Sequence, residues 1–209
     1  MSPALDVPTR RRLPRDERSR QLLDAAEDVF AARGIAATTM EDIGERAGVT
    51  KPVLYDHFGS KDGLMAALIA RRGAELRGDV EAALEGSDGP DDALARGINA
   101  YFEFIERHRD AWSALTRETA TTTAAAEALE EIRSDQASFI TELIVADYPD
   151  AGHTRASTYA QIVIGACERL ATYTAAGTPA SAQELTVHVM DVIWTGFAAL
   201  RAGGGNRSA

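Results

Sequence analysis

Apolar positions recur at helical spacing along most of the chain, from about residue 15 to about residue 201. Leu22, Ala26, Val29 and Phe30 share one face of a first helix, with Arg33 in the same register, and Gly34 supplies a stop. Thr38 and Thr39 precede Met40, Glu41, Asp42 and Ile43. A threonine followed by acids satisfies free backbone N–H groups, so a short second helix is expected to run to Ala47 and Gly48. Pro52 suits the first turn of a third helix, where its missing N–H is no loss. That helix is expected to end near His57. Gly59 breaks it, and Ser60 caps a fourth helix that starts at Lys61 and reaches residues 76–84. Residues 85–92 are polar, with Gly and Pro, and read as a loop.

Four more apolar faces follow. Leu94, Ile98, Tyr101, Phe102 and Ile105 form one, with Trp112 and Leu115 on a short piece after it. Ala125, Leu129, Ile132, Phe139, Leu143 and Ile144 form a long one. Tyr159, Ile162, Ala166, Leu170 and Tyr173 form the next, and Leu185, Val189, Val192, Ile193, Phe197 and Leu200 the last. The sequence carries no convincing alternating strand and no internal repeat. The expected class is all-α, with about nine helices: an N-terminal three-helix helix-turn-helix unit followed by a C-terminal helical bundle. The expected domains are a flexible basic arm (1–14), the helix-turn-helix (15–62), a helical domain (63–201) and a disordered tail (202–209).

Charge complicates this picture before it helps. The 209 residues hold 22 Lys plus Arg against 32 Asp plus Glu, a formal net charge of −10, which as a whole argues against nucleic acid. The charge is uneven. Residues 1–72 carry 12 basic and 11 acidic side chains, while residues 73–209 carry 10 and 21. Residues 10–20 alone hold six arginines. Such asymmetry hints at one end that faces nucleic acid. The lone Cys167 excludes an intrachain disulfide framework and a multi-thiolate metal cluster. No run approaches the ~20 apolar residues of a membrane span, and no secretory signal pattern is present, so a cytoplasmic protein with no membrane partner is expected. The four histidines show no metal-ligand spacing. No G-x-S-x-G, P-loop or dinucleotide fingerprint occurs, so no enzyme, cofactor or metal is expected.

Residues 38–58 carry the most chemistry. Two short helices joined at Ala47-Gly48-Val49 fit a helix-turn-helix, with Ile43, Val49 and Leu54 packing the pair against the first helix. The second helix of such a unit enters the major groove with its N-terminal residues at the base edges. Here these are Thr50, Lys51, Pro52 and Val53. Thr50 can hydrogen-bond a base or phosphate, Lys51 suits guanine acceptors, and Pro52 and Val53 can touch a thymine methyl. Tyr55, His57 and Lys61 lie where they can hold phosphates. Two of these also have a plainer reading, Tyr55 as a packing aromatic and His57 as a surface or capping residue. The arginines at 10–12 read equally as a minor-groove arm or as a solvated tail.

The stretch TTMEDIGERAGVTKPVLYDHFGSK, residues 38–61, strongly resembles the tetracycline-repressor-like (TetR) family of bacterial regulators. The match covers about residues 15–65 and extends upstream through Ala25, Ala26, Phe30 and Gly34. Gly44, where the family often has Ala, is expected to loosen the second helix by up to ~1 kcal/mol. Asp56 places an acid on the recognition helix. The resemblance implies a homodimer whose heads, Thr39 included among the DNA-binding residues, read the half-sites of a palindromic double-stranded operator. It also implies a small-molecule effector in the C-terminal bundle that repositions the heads through the fourth helix.

The resemblance further implies a dimer interface on helices at about 154–176 and 182–201, with Ile162, Ala166, Leu170, Val189, Ile193 and Phe197 as candidates. Tyr101, Phe102, Ile105, Trp112, Phe139, Leu143 and Tyr173 are candidates to line an effector pocket, with ordinary core as the other reading of each. Cys167 reads as a small buried apolar residue or as a redox thiol. Glu168 and Arg169 read as a surface pair. The expected function is a ligand-responsive repressor. The alternatives are a helical small-molecule sensor without operator binding and, as a variant of the first, an activator.

Overall fold

The computed structural model describes residues 13–109, 123–175 and 180–201, with the backbone alone at residues 175 and 194–201. Among the described residues are eight α-helices: α1 (Arg15–Arg33), α2 (Met40–Ala47), α3 (Lys51–Phe58), α4 (Lys61–Leu84), α5 (Pro90–Arg107), α6 (Thr123–Asp147), α7 (Gly152–Ala175) and α8 (Ala182–Arg201). A short 3-10 turn, Pro149–Ala151, precedes α7. The arm at 1–12, the piece expected at Trp112 and Leu115, the tail from 202 and the side chain of Phe197 lie outside the described residues. The all-α class follows from the helical spacing of the apolar residues. The chain divides into two compact units, a head ending at Lys61 and a body beginning at Asp62.

In the head, Leu22, Ala26, Val29 and Phe30 of α1 are buried, together with Ile43 of α2 and Leu54 of α3. Val49 is only half-buried, which corrects its expected place in this core. The start of α2 is fixed by a reciprocal cap. The Asp42 N–H donates to the Thr39 hydroxyl at 3.2 Å, and the Thr39 N–H donates to the Asp42 carboxylate at 2.8 Å. The Thr39 hydroxyl also donates to the Asp42 carboxylate at 2.7 Å, and this bond, with that from the Thr39 N–H, holds the Asp42 carboxyl below its ordinary value. Gly48 ends α2 at φ 66, ψ 36, in the left-handed region, where a side chain is strained. Gly44 is buried, and a Cβ there would stand 3.0 Å from the Val49 carbonyl oxygen. Its expected cost in helix propensity is therefore offset by the close approach it permits to the turn. Pro52 falls in the first turn of α3, as its chemistry favours.

In the body, Ile98 and Phe102 of α5 share a buried cluster with Ile144 of α6, Val163 and Cys167 of α7, and Leu185, Val189 and Ile193 of α8. Burial of an aromatic such as Phe102 contributes roughly 1.5–3 kcal/mol by transfer alone. Three differences from the sequence expectation have physical causes. Pro90, Asp91 and Asp92 belong to the first turn of α5, not to a loop, since proline and acids both suit that turn. Phe104, outside the expected face, is fully buried and packs with Leu76, Ile105 and Ala171. On α7 the buried stripe is Ala156, Ala160, Val163, Cys167 and Ala171, while of the expected face Ile162 and Tyr173 are exposed and Tyr159, Ala166 and Leu170 are half-buried. Both faces of α7 are apolar, so periodicity alone could not choose between them. Where α4 crosses α6, a Cβ on Gly73 would lie 2.5 Å from the Ile132 Cδ1, so glycine is what permits this approach.

Candidate nucleic-acid interface and internal cavity

The head presents the N-terminal turn of α3 to solvent. Thr50, Lys51 and Pro52 are exposed, Val53 is half-buried, and Tyr55 is 43% exposed. The single buried residue of α3 is Leu54, which holds the helix on the head while leaving the opposite face free. The Thr50 side chain makes no capping hydrogen bond, so its hydroxyl is not committed to the helix start. The Lys51 ammonium is paired with the Glu41 carboxylate of α2 and lies 5.7 Å from the centre of the Tyr55 ring. The hydrogen bond to Glu41 raises the Lys51 pKa, and the same bond lowers that of Glu41. Exposed pairs of this kind are weak and exchange readily, so the ammonium can transfer to an acceptor on a duplex. Sequence reasoning missed Glu41 as this partner. The signal was an acid in the first turn of α2 facing a lysine that opens α3.

Other expected contact residues have structural roles. Thr39 is exposed but serves first as the cap of α2. His57 is half-buried against the Phe58 ring, with centroids 5.9 Å apart. Lys61 donates to the Ile35 carbonyl at 2.5 Å, tying the start of α4 to the turn before α2. One tie leaves that ammonium two further protons, so it can hold a phosphate as well. Asp56 is exposed, and its backbone carbonyl accepts a long bond, 3.5 Å, from Arg15.

The body holds a partly open cavity of about 230 Å³ lined by residues of α4, α5, α6 and α7. Tyr101, Phe139 and Leu143, of the residues expected to line a pocket, are on its wall. Phe102 and Ile105 are instead packed in the core, and Tyr173 is 53% exposed on α7, so these three expectations are corrected. Trp112 lies outside the described residues. Leu76, Val80, Leu84 and Cys167 also line the cavity, and sequence reasoning missed them because α4 and α7 each carry apolar residues on several faces. Burial pushes the Cys167 thiol up to about 12, so it persists as a protonated thiol, the opposite of a redox-active group. Glu168 is not in a pair with Arg169. It accepts from Arg133 of α6 at 2.7 Å.

The expected interface residues divide. Ile162 is 53% exposed, and Ala166 and Leu170 are half-buried. Val189 and Ile193 are buried in the chain's own core, which corrects their assignment; among the described side chains of α8 the open large apolar residues are Val187 and Val192, the latter 78% exposed. Among the described residues no helix is long and apolar enough to cross a membrane, and no group of three or more His, Cys, Asp or Glu could hold a metal ion.

A capped short helix, a left-handed glycine and a second helix with an exposed N-terminal turn define a helix-turn-helix protein. Residues 22–68 match the profile of the bacterial regulatory proteins of the tetR family, and residues 90–196 match the tetracyclin repressor-like C-terminal domain. The chain belongs to the TetR family of transcriptional regulators, and as such is not an enzyme. The HTH-type transcriptional activator FasR of Mycolicibacterium smegmatis is 47% identical over 95 residues, 46% of this chain and 43% of FasR. The HTH-type transcriptional repressor Rv3405c of Mycobacterium tuberculosis is 36% identical over 107 residues, 50% of this chain and 53% of Rv3405c. The chain thus spans about half the length of the curated relatives it matches. A crystal structure of a TetR-like regulator from Rhodococcus sp. RHA1 is similar with a TM-score of 0.66 at 30% identity, covering 90% of this chain and 99% of that one. A tetR-family regulator from Streptomyces coelicolor shares the fold with a TM-score of 0.70 at 24% identity, covering 91% and 84%.

Proposed function

We propose that this chain is a homodimeric, ligand-responsive repressor that binds a palindromic double-stranded operator through α2 and α3. The observation that carries the reading is the exposed first turn of α3, where an uncommitted Thr50 hydroxyl and the Lys51 ammonium stand beside Pro52 on a helix pinned by Leu54. These groups match the donor, acceptor and methyl pattern of the major groove. Two such heads need a separation near ~34–36 Å to fill successive grooves of one duplex. Dimerisation is supported by the open apolar positions Ile162, Gly165 and Tyr173 of α7 and Val192 of α8, which present surface and close-approach sites to a second copy.

Control by a ligand rests on α4. Its first residue is tied to the head at Ile35, and four to six turns later Leu76, Val80 and Leu84 line the cavity. A molecule that fills the cavity prefers one placement of this helix. It shifts operator affinity only through its differential affinity for the two states. A dimer seated on a promoter excludes polymerase, which makes repression the simplest output. The activating output in the FasR name is the alternative that reporter measurements decide.

Selection of the purified chain against a pool of random duplexes tests the reading. The expected result is enrichment of a palindrome bound by two protomers, and loss of that complex when a cavity ligand raises the melting temperature. Enrichment of no duplex at all would instead favour a helical sensor without operator binding.

A further inference from the structure

The partly open cavity of the body is apolar inside and acidic at its mouth. Leu76, Val80, Leu94, Ile98, Phe139 and Ile144 belong to its apolar wall. Among the described lining residues, four carboxylates, Glu81, Asp91, Asp135 and Asp147, face one cation, Arg77. Arg77 is engaged by Asp135 at 2.6 Å, so Glu81, Asp91 and Asp147 leave the mouth negative.

The backbone adds charge of the same sign. α4 ends at Leu84 and α6 at Asp147, both on the cavity wall, and neither helix has a basic residue in its last turn. A helix C-terminus carries a partial negative charge that favours a cation. The start of α5 lines the cavity with Pro90, which has no N–H to offer, and its partial positive charge is met by Asp91 and Asp92. Residues 73–209, with 10 basic and 21 acidic side chains, extend this field around the mouth.

Glu81 and Asp147 are exposed and Asp91 is half-buried. A charged head group at the mouth therefore keeps part of its hydration, while an apolar body attached to it is withdrawn from water. An anion meets repulsion there, and a neutral molecule gains the apolar burial alone. Size sets a further bound. A cavity of roughly 150 Å³ takes a benzene, so 230 Å³ takes an apolar body of about nine or ten non-hydrogen atoms.

We infer that the effector site takes a lipophilic cation, an ammonium group at the mouth made acidic by Glu81, Asp91 and Asp147, carried on an apolar body that fills the cavity. This rests on the cavity being the effector site proposed above, and it names the class of ligand.

The test uses the full chain and three probes of one chain length, nonylammonium, 2-nonanone and nonanoate, titrated by calorimetry at pH 7.5. Nonylammonium is expected to bind about five- to tenfold more tightly than 2-nonanone, the gain of two or three exposed ion pairs, and nonanoate more weakly than both. Glu81→Gln combined with Asp147→Asn should weaken nonylammonium about three- to tenfold and leave 2-nonanone unchanged. Val80→Trp, which fills the cavity and keeps the carboxylates, should abolish binding of both. Tighter binding of 2-nonanone or nonanoate would overturn the cation assignment. Equal weakening of ammonium and ketone by the double variant would overturn the role of the carboxylates. Nonylammonium binding that survives Val80→Trp would place the cation on the acidic surface and overturn the site. Binding that passes these tests yet leaves operator affinity unchanged would overturn the effector reading alone, and binding of none of the three would overturn both.

Discussion

The head and the body are built from the same kind of amphipathic helix, yet they treat polar groups in opposite ways. In the head the polar side chains that matter are exposed, or half-buried for Asp42, and held in local pairs: Arg33 with Asp42, Arg46 with Asp28, Lys51 with Glu41. These pairs are weak and exchangeable, which suits a surface that must trade partners with a polyanion. In the body the contrasting polar group is the Tyr101 hydroxyl, closed off from water and unbonded. Charge follows the same division. Residues 1–72 hold 12 basic and 11 acidic side chains, and residues 73–209 hold 10 and 21, so the whole-chain value of −10 describes neither part. An acidic body is expected to be repelled by DNA, which would confine contact to the head.

The comparison breaks most severely if the body does not supply a second head. Ile162→Arg paired with Val192→Arg places charge on the open apolar positions of α7 and α8. We expect monomers by sedimentation and an operator affinity lower by a factor on the order of 10²–10⁴, the gain that a second linked site confers. Unchanged dimers would remove these residues from the interface. Lys51→Ala comes next. It should cost about 1–3 kcal/mol in operator affinity, with the circular dichroism spectrum and cavity binding unaltered. A loss of ligand binding of equal size would show that the two regions are not separable.

Smaller effects sharpen the contrast. Thr39→Ala removes the cap of α2 and should lower the stability of the head by about 1 kcal/mol, read by urea melts. Tyr101→Phe should do the reverse in the ligand-free body, raising stability by up to about 1 kcal/mol, since it deletes a hydroxyl that nothing bonds. The Cys167 thiol, ordinarily at 9.0, is pushed up to about 12 by burial. The stability linked to its protonated form is full below pH 9 and is lost as pH rises toward 12. At pH 8.5 iodoacetamide should therefore label the unfolded chain promptly and the folded chain only on opening. Rapid labelling of the folded chain would contradict the buried placement.

The head was legible in the sequence because its rules are local. Thr39 with Asp42, Gly48 and Pro52 each act within a few residues, and each stands where its chemistry predicts. What spacing did not reveal was the pairing of Lys51 with Glu41, which depends on how α2 and α3 meet. The body is the converse. Its helices were legible, but its faces were not. Apolar residues run around α7, so Ile162 and Val163 look alike in sequence, while one is open and the other buried. Likewise Phe102 and Phe139 are both aromatic residues on middle helices, and only Phe139 reaches the cavity wall. Which apolar residue lines a cavity is decided by tertiary packing, such as the close crossing at Gly73.

The central claim is that an acidic chain binds DNA through a small head alone. The most direct measurement is the operator affinity of the full chain as a function of salt concentration. Each phosphate neutralised contributes about −0.9 to the slope of log K against log salt. Two heads, each bringing Lys51 and Lys61 to the phosphates, predict a slope of about −3.6 or steeper. A flat profile, or a slope that Lys51→Ala leaves unchanged, would contradict the account.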